Sequence, residues 1–179
     1  MTTTKATQKD TQKATQKTTQ KTKITLKLNG KERTITTDPL RRLIDVLRED
    51  FDCKGVKEGC SEGECGACSV LFNGRMVTSC IIPVGAADGQ EIMTIEGISQ
   101  TEKGKVIIEA FADGGAVQCG YCIPGMVIAA YYLLENNPNP TEEDVRLGIS
   151  GNICRCTGYD LIVESILLAA RRGEALWKK

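Results

Sequence analysis

Gly59-Cys60-Ser61-Glu62-Gly63-Glu64-Cys65-Gly66-Ala67-Cys68-Ser69-Val70 contains three cysteines, and Cys80 follows Cys68 after eleven intervening residues, so these thiols read C-x4-C-x2-C-x11-C. The residues between the first three are mostly small, and Gly59, Gly63 and Gly66 lie among them. Further along, Cys119, Cys122, Cys154 and Cys156 form a second set of four, spaced C-x2-C-x31-C-x-C. The 179 residues include no histidine, so any metal held by these sets would be bound by thiolates. The ninth cysteine, Cys53, lies outside both sets and reads as a buried free thiol that packs as a small hydrophobe.

The first spacing is that of a plant-type [2Fe-2S] site, with its fourth ligand further along the chain. A loop wrapped around such a cluster must aim backbone amides at sulfur, and glycine supplies the positive-φ conformations this requires without steric cost. Structural zinc is the main rival, but it usually takes thiolates from two similar short knuckles, which one-residue and eleven-residue gaps do not resemble. Disulfides fit less well, because the cysteine count is odd and the N-terminus does not resemble a secretory signal. The second set needs a fold that returns two close pairs to one place across a long insertion.

The formal net charge of zero hides an uneven distribution. Residues 1–23 hold six lysines and one aspartate, leaving 17 basic and 22 acidic residues in the body. Positions 6–21 run through four tetrapeptides ending in Thr-Gln-Lys, with no large apolar residue. Such a segment cannot build a core, so residues 1–22 are expected to be a disordered tail. Its charge has no aromatic or arginine partner, so no nucleic-acid arm is expected. Apolar stretches such as 126–134 and 161–170 are too short to span a bilayer, so no membrane association and a cytoplasmic protein are expected.

From Lys23 onward Ile24, Leu26 and Leu28 alternate with polar residues, as in a half-buried strand, and Asn29-Gly30 is a two-residue hairpin turn. Asp38 is expected to cap a helix with Pro39 in its first turn, and Leu40, Leu43, Ile44 and Leu47 to form its buried face. Asn73-Gly74 marks a second hairpin, and a last strand near residues 92–95 ends at Gly97. Residues 23–97 thus read as a β-grasp domain with the first thiol set on a loop at its edge. Residues 98–179 read as a four-helix bundle, with Val106, Ile107, Ala110 and Phe111 on one apolar face and Met126, Val127, Ala130, Tyr131 and Leu134 on another. Thr141 opens a short helix and the last runs from about Asp160 to Arg172. The fold class is therefore α+β: a plant-type ferredoxin domain followed by an all-α domain.

In that arrangement both pairs of the second set precede helices, where free amides and the helix dipole favour an anionic thiolate site. The polar flanks of Cys154 and Cys156 argue against burial in an apolar core.

Residues 59–70 (GCSEGECGACSV), 118–126 (QCGYCIPGM) and 151–159 (GNICRCTGY) together resemble the small iron-sulfur subunit of the molybdenum hydroxylase family. That family includes xanthine, purine and nicotinate dehydrogenases and aldehyde oxidoreductases. The likeness covers residues 23–172. It implies two [2Fe-2S] clusters, one on Cys60, Cys65, Cys68 and Cys80, the other on Cys119, Cys122, Cys154 and Cys156. It further implies a large subunit holding a molybdenum-pterin (molybdopterin) cofactor that hydroxylates a heterocycle or aldehyde, and an FAD-binding subunit that receives the electrons. Gln118 and the neighbourhood of Cys156 are then expected to contact the pterin. Ile123 departs from the family pattern, in which threonine is more usual and could cap the helix begun by Pro124. The chain itself has no nucleotide-binding glycine fingerprint and no histidine base, so no catalytic residue is expected in it. The competing class is a free-standing two-cluster ferredoxin; a zinc-stabilised adaptor is a third.

Overall fold

The computed structural model describes residues 20–177. Residues 1–19 of the expected N-terminal tail lie outside the described residues, and Thr22 at its end already belongs to a strand. Strand β1 (Thr22–Leu28) turns through Asn29 and Gly30, at φ 51° and 79°, into antiparallel β2 (Lys31–Thr37). Both residues of that turn take positive φ, which asparagine and glycine tolerate best and which matches the twist of the strands they join. Asn73 and Gly74, at φ 48° and 77°, join β3 (Ser69–Phe72) to β4 (Arg75–Thr78) in the same way. With β5 (Glu91–Met93) the sheet has the order β2-β1-β5-β3-β4, and β1 and β5 run parallel.

Helix α1 (Leu43–Asp45) continues as a wider π turn (Val46–Asp50) and buries Leu43, Ile44, Val46 and Leu47 against one face of the sheet. It begins four residues later than its sequence suggests, and the cause lies in another part of the chain. Leu43 N donates to Ile82 O, Val84 N to Arg41 O and Gly85 N to Pro39 O, so residues 39–43 are tied to 82–85 and the helix starts only beyond that tie. Asp38 caps only a local turn, accepting from Leu40 N at 2.9 Å, and Leu40 is 74% exposed instead of buried. The last strand also ends early, since Ile95 opens a short helix α2 (Ile95–Ile98) that contains Gly97. The Asn29 side chain ends the strand, its Oδ1 accepting from Thr94 N at 2.8 Å and its Nδ2 donating to Thr94 Oγ1 at 3.0 Å.

The second half is helical: α3 (Glu102–Asp113), α4 (Ile123–Asn136), α5 (Glu142–Gly148), α6 (Asp160–Arg172) and a final turn α7 (Glu174–Trp177). Thr141 and Asp144 form a reciprocal capping box on α5. The bundle core gathers Ile107, Phe111, Met126, Ile128, Ile162 and Trp177. Trp177 stands edge-on to Tyr131 at 6.3 Å between ring centroids, with the Lys103 ammonium 5.4 Å from the Trp177 ring centroid.

Strand β3 is the wall between the two cores. Alternate side chains point to opposite faces of a strand, so Val70 joins the α1 core while Leu71 joins the bundle core beside α4. Among the described residues no helix is long and apolar enough to cross a membrane.

Gly104 tests how tightly α2 and α3 meet. Alanine at an open helical site would gain about 1 kcal/mol over glycine. Here its Cβ would lie 1.9 Å from the backbone oxygen of Ile98. Gly104→Ala is therefore expected to lower stability by about 1–3 kcal/mol in denaturant unfolding, opposite in sign to the propensity gain.

Candidate metal centres

The first ligand loop folds around the Cys60 sulfur. Ser61, Gly63 and Gly66 take φ of 61°, 83° and 67°, and the backbone N–H groups of Glu62, Glu64 and Cys65 all donate to Cys60 Sγ at 3.4 Å. Those three amides lower the Cys60 pKa to about 7, which prepares it to serve as a thiolate. The approach to the loop is anchored at Glu58, whose carboxylate accepts from the Ser61 hydroxyl at 2.7 Å and from Arg42 at 2.6 Å; Arg42 is also bidentate to Asp45. Cys68 and Cys80 lie deeper, in the α1 core. Ser79 keeps them adjacent, its N–H and hydroxyl both donating to Cys68 O. Burial, followed by the neighbouring Cys80, pushes the Cys68 thiol up to about 11.

The second set assembles from two loops. Cys119 and Cys156 are exposed with sulfurs 3.5 Å apart, while Cys122 and Cys154 lie further in and hydrogen-bond to each other. Burial, then the Cys154 contact, pushes Cys122 up to about 12. Cys154 is also opposed by burial, but hydrogen bonds from Thr157 bring its pKa below the usual thiol value. A cavity of about 220 Å³ opens among these four sulfurs, with Cys65 and Ala67 of the first loop on its wall.

The thiols thus stand in four pairs: Cys60 with Cys65, Cys68 with Cys80, Cys119 with Cys156, and Cys122 with Cys154. Among the described residues no three cysteine, aspartate or glutamate side chains converge as a single metal ion would require. Two pairs per set suit a two-iron cluster, in which each iron takes two protein thiolates, better than a mononuclear zinc site that needs four sulfurs around one point. Buried thiols held near 11 and 12 ionise at neutral pH only beside a cation, which the irons would supply. The donor set therefore fits the cluster implied by its spacing.

Two expectations need correction. Cys154 is only 8% exposed and belongs to the bundle core, despite its polar flanks. The chain bends at residues 155–157, directly after Cys154, and of the two thiols only Cys156 reaches the surface. Residue 123 is the first residue of α4, with Cys122 at the cap, so threonine there could not cap the helix. The second thiol pairs also differ in placement: Cys122 caps α4 directly, whereas Cys156 lies four residues before α6. Gln118 adjoins Cys119 and is exposed.

Several contacts had no sequence signal beyond polar residues flanking cysteines. Tyr159, at φ 75°, turns its hydroxyl back to accept from Cys154 N at 2.9 Å. The two sets are also joined directly. Ile153 N donates to Cys65 O at 3.0 Å, Tyr121 OH donates to Glu58 O at 2.6 Å, and Asn152 Nδ2 donates to Gly66 O at 3.0 Å.

Comparison with known proteins finds two family models along the chain. Residues 26–92 match the 2Fe-2S iron-sulfur cluster binding domain family, and residues 94–167 match the [2Fe-2S] binding domain family. The nicotinate dehydrogenase small FeS subunit of Eubacterium barkeri is 52% identical over 149 residues, covering 83% of this chain and 95% of that one. The nicotine 6-hydroxylase small subunit of Paenarthrobacter nicotinovorans is 43% identical, covering 81% of this chain and 87% of its own length. The crystal structure of quinoline 2-oxidoreductase from Pseudomonas putida 86 superposes on 87% of this chain and 99% of the matched chain, with TM-score 0.80 and 41% identity. With both cluster-binding domains in order and relatives matched over nearly their whole length, the chain belongs to the small iron-sulfur subunits of the molybdenum hydroxylase family.

Proposed function

We propose that this chain relays electrons one at a time from a molybdopterin site on a large partner subunit towards FAD on a further subunit. Cys119, Cys122, Cys154 and Cys156 of the domain comprising residues 98–179 hold the entry cluster. Cys60, Cys65, Cys68 and Cys80 of the domain comprising residues 23–97 hold the exit cluster. Each [2Fe-2S] cluster, when bound, accepts and releases a single electron. The observation that carries this reading is the junction of the two sets, where one hydrogen bond, Ile153 N to Cys65 O at 3.0 Å, joins the residue before one ligand to the backbone of another.

The chain's own residues give that junction an outside and an inside. Cys119 and Cys156 lie at the surface beside half-exposed Tyr121 and Ile153, an apolar rim suited to docking a partner. Gln118 and Cys156 occupy that rim and are the residues we assign to pterin contact. Cys68 and Cys80 are shielded from water by the α1 core. The three amides on Cys60 stabilise negative charge on its sulfur. All nine thiols are free, which suits a reducing cytoplasm. The substrates named for the three relatives, nicotinate, nicotine and quinoline, differ, as they can if substrate meets only the large subunit.

Purification of the native complex tests the assignment. The chain is expected to co-elute with molybdenum- and flavin-containing subunits; elution as a lone two-cluster protein would favour a diffusing ferredoxin instead. After reduction, two [2Fe-2S] signals are expected by electron paramagnetic resonance. Cys65→Ser is expected to perturb one signal and spare the other, and loss of both together would contradict separate sites. Stripping iron with a chelator and mercurial should lower the thermal midpoint of the subunit by several degrees or more, because the inner Cys68–Cys80 and Cys122–Cys154 pairs would lose the charge that holds them together.

A further inference from the structure

One buried amide fastens the two thiol sets together. Asn152 is 2% exposed and lies two positions before Cys154. Its Nδ2 donates to Gly66 O at 3.0 Å and to Ser69 Oγ at 3.3 Å, and the Ser69 hydroxyl donates to the same Gly66 O at 2.7 Å. Consecutive residues of one ligand loop therefore bind consecutive residues of the other, Asn152 to Gly66 and Ile153 to Cys65. The Tyr121–Glu58 bond, by contrast, comes from a side chain that is half exposed at the rim.

The fit leaves no slack. A Cβ on Gly66 would lie 2.6 Å from Asn152 Nδ2, and a Cβ on Gly125 would lie 2.4 Å from Gly66 O. Stability alone does not explain an asparagine here, because its Oδ1 is buried without a hydrogen-bond partner, a penalty that an apolar residue of similar size would not incur. What asparagine adds is two N–H donors in a fixed direction, aimed at the backbone beside Cys65.

We propose that Asn152 is a positioning residue for electron passage between the two clusters: its amide fixes the Cys65–Gly66 segment against Ile153–Cys154 and so holds the Ile153 N–H to Cys65 O contact short. This inference rests on the relay reading above. In the step concerned the site of Cys119, Cys122, Cys154 and Cys156 is oxidised by one electron, the site of Cys60, Cys65, Cys68 and Cys80 is reduced by one, and no atom or proton changes place. Electronic coupling weakens steeply as a through-space gap widens, so loosening this contact slows passage while the ligands of each site stay in place.

Asn152→Asp in the intact complex keeps the shape, removes both donors and sets an acceptor against the Gly66 carbonyl. Both paramagnetic signals are expected to persist, with a smaller magnetic splitting between them when both sites are reduced. Rapid-freeze reduction is expected to show slower equilibration of the electron between the sites. Hydrogen exchange at the Ile153 amide should quicken about tenfold, the effect of one buried hydrogen bond lost. Ser69→Ala removes only the hydroxyl that helps to grip Gly66 O; it should shift the same readouts less, and it decides the matter if the aspartate variant does not assemble. Faster Ile153 exchange with unchanged splitting and equilibration would mark Asn152 as a purely structural clamp and overturn the proposal. Failure to find two separable signals in the unaltered complex would overturn the relay reading and this inference with it, so the protein that fails shows which idea is wrong.

Discussion

The backbone of Gly66 passes so close to the segment before Cys154 that a single added carbon would fall 2.4 Å from the Gly151 carbonyl oxygen. Gly125, at the start of α4, meets the same spot from the other side, where its own Cβ would fall 2.4 Å from Gly66 O. Three loops that carry thiols therefore share one crowded point, and two of them meet there through a residue with no side chain. Gly66 is also at φ 67°, a conformation that other residues adopt only with strain. The close approach brings Cys65 O within hydrogen-bond reach of Ile153 N and places the cavity of the second thiol set against the first loop.

Around that point each set runs from wet to dry. Cys119 and Cys156 are exposed, Cys60, Cys65 and Cys122 are intermediate, and Cys68, Cys80 and Cys154 are buried. Burial raises Cys68 and Cys122, while hydrogen bonds from backbone amides lower Cys60 and those from Thr157 lower the buried Cys154. A chain arranged this way leaves part of one set at the surface and packs part of the other into its own core. Strand β3 makes the arrangement rigid, because Val70 and Leu71 commit its two faces to different cores directly after the first ligand loop.

Much of this was legible in local pattern. Asn29-Gly30 and Asn73-Gly74 announce their hairpins because few other residues accept two successive positive φ angles, and the spacing of Cys60, Cys65, Cys68 and Cys80 groups these thiols into one set. The helical faces at Ile107 and Phe111, and at Met126 and Ala130, were equally readable. The start of α1 was not, because the Leu43, Arg41 and Pro39 backbone groups bond to residues about forty positions away, and no local capping signal reports that. The burial of Cys154 was missed for a related reason: polar neighbours describe a loop, but packing against the bundle core decides which of its side chains turns inward.

The sequence by itself determined the chemistry of the donors, eight thiols in two spaced sets with no histidine to compete, and the order of a sheet-forming half followed by a helical half. These are properties of residue type and short-range spacing, and the backbone expresses them wherever the chain goes. Only the tertiary structure decided which thiols pair, which pair meets solvent, and that Asn152 joins the two sets beside the Ile153 N to Cys65 O bond. Those outcomes depend on contacts between residues as much as 86 positions apart, Gly66 and Asn152 among them, whose closeness follows from packing both cores against one strand.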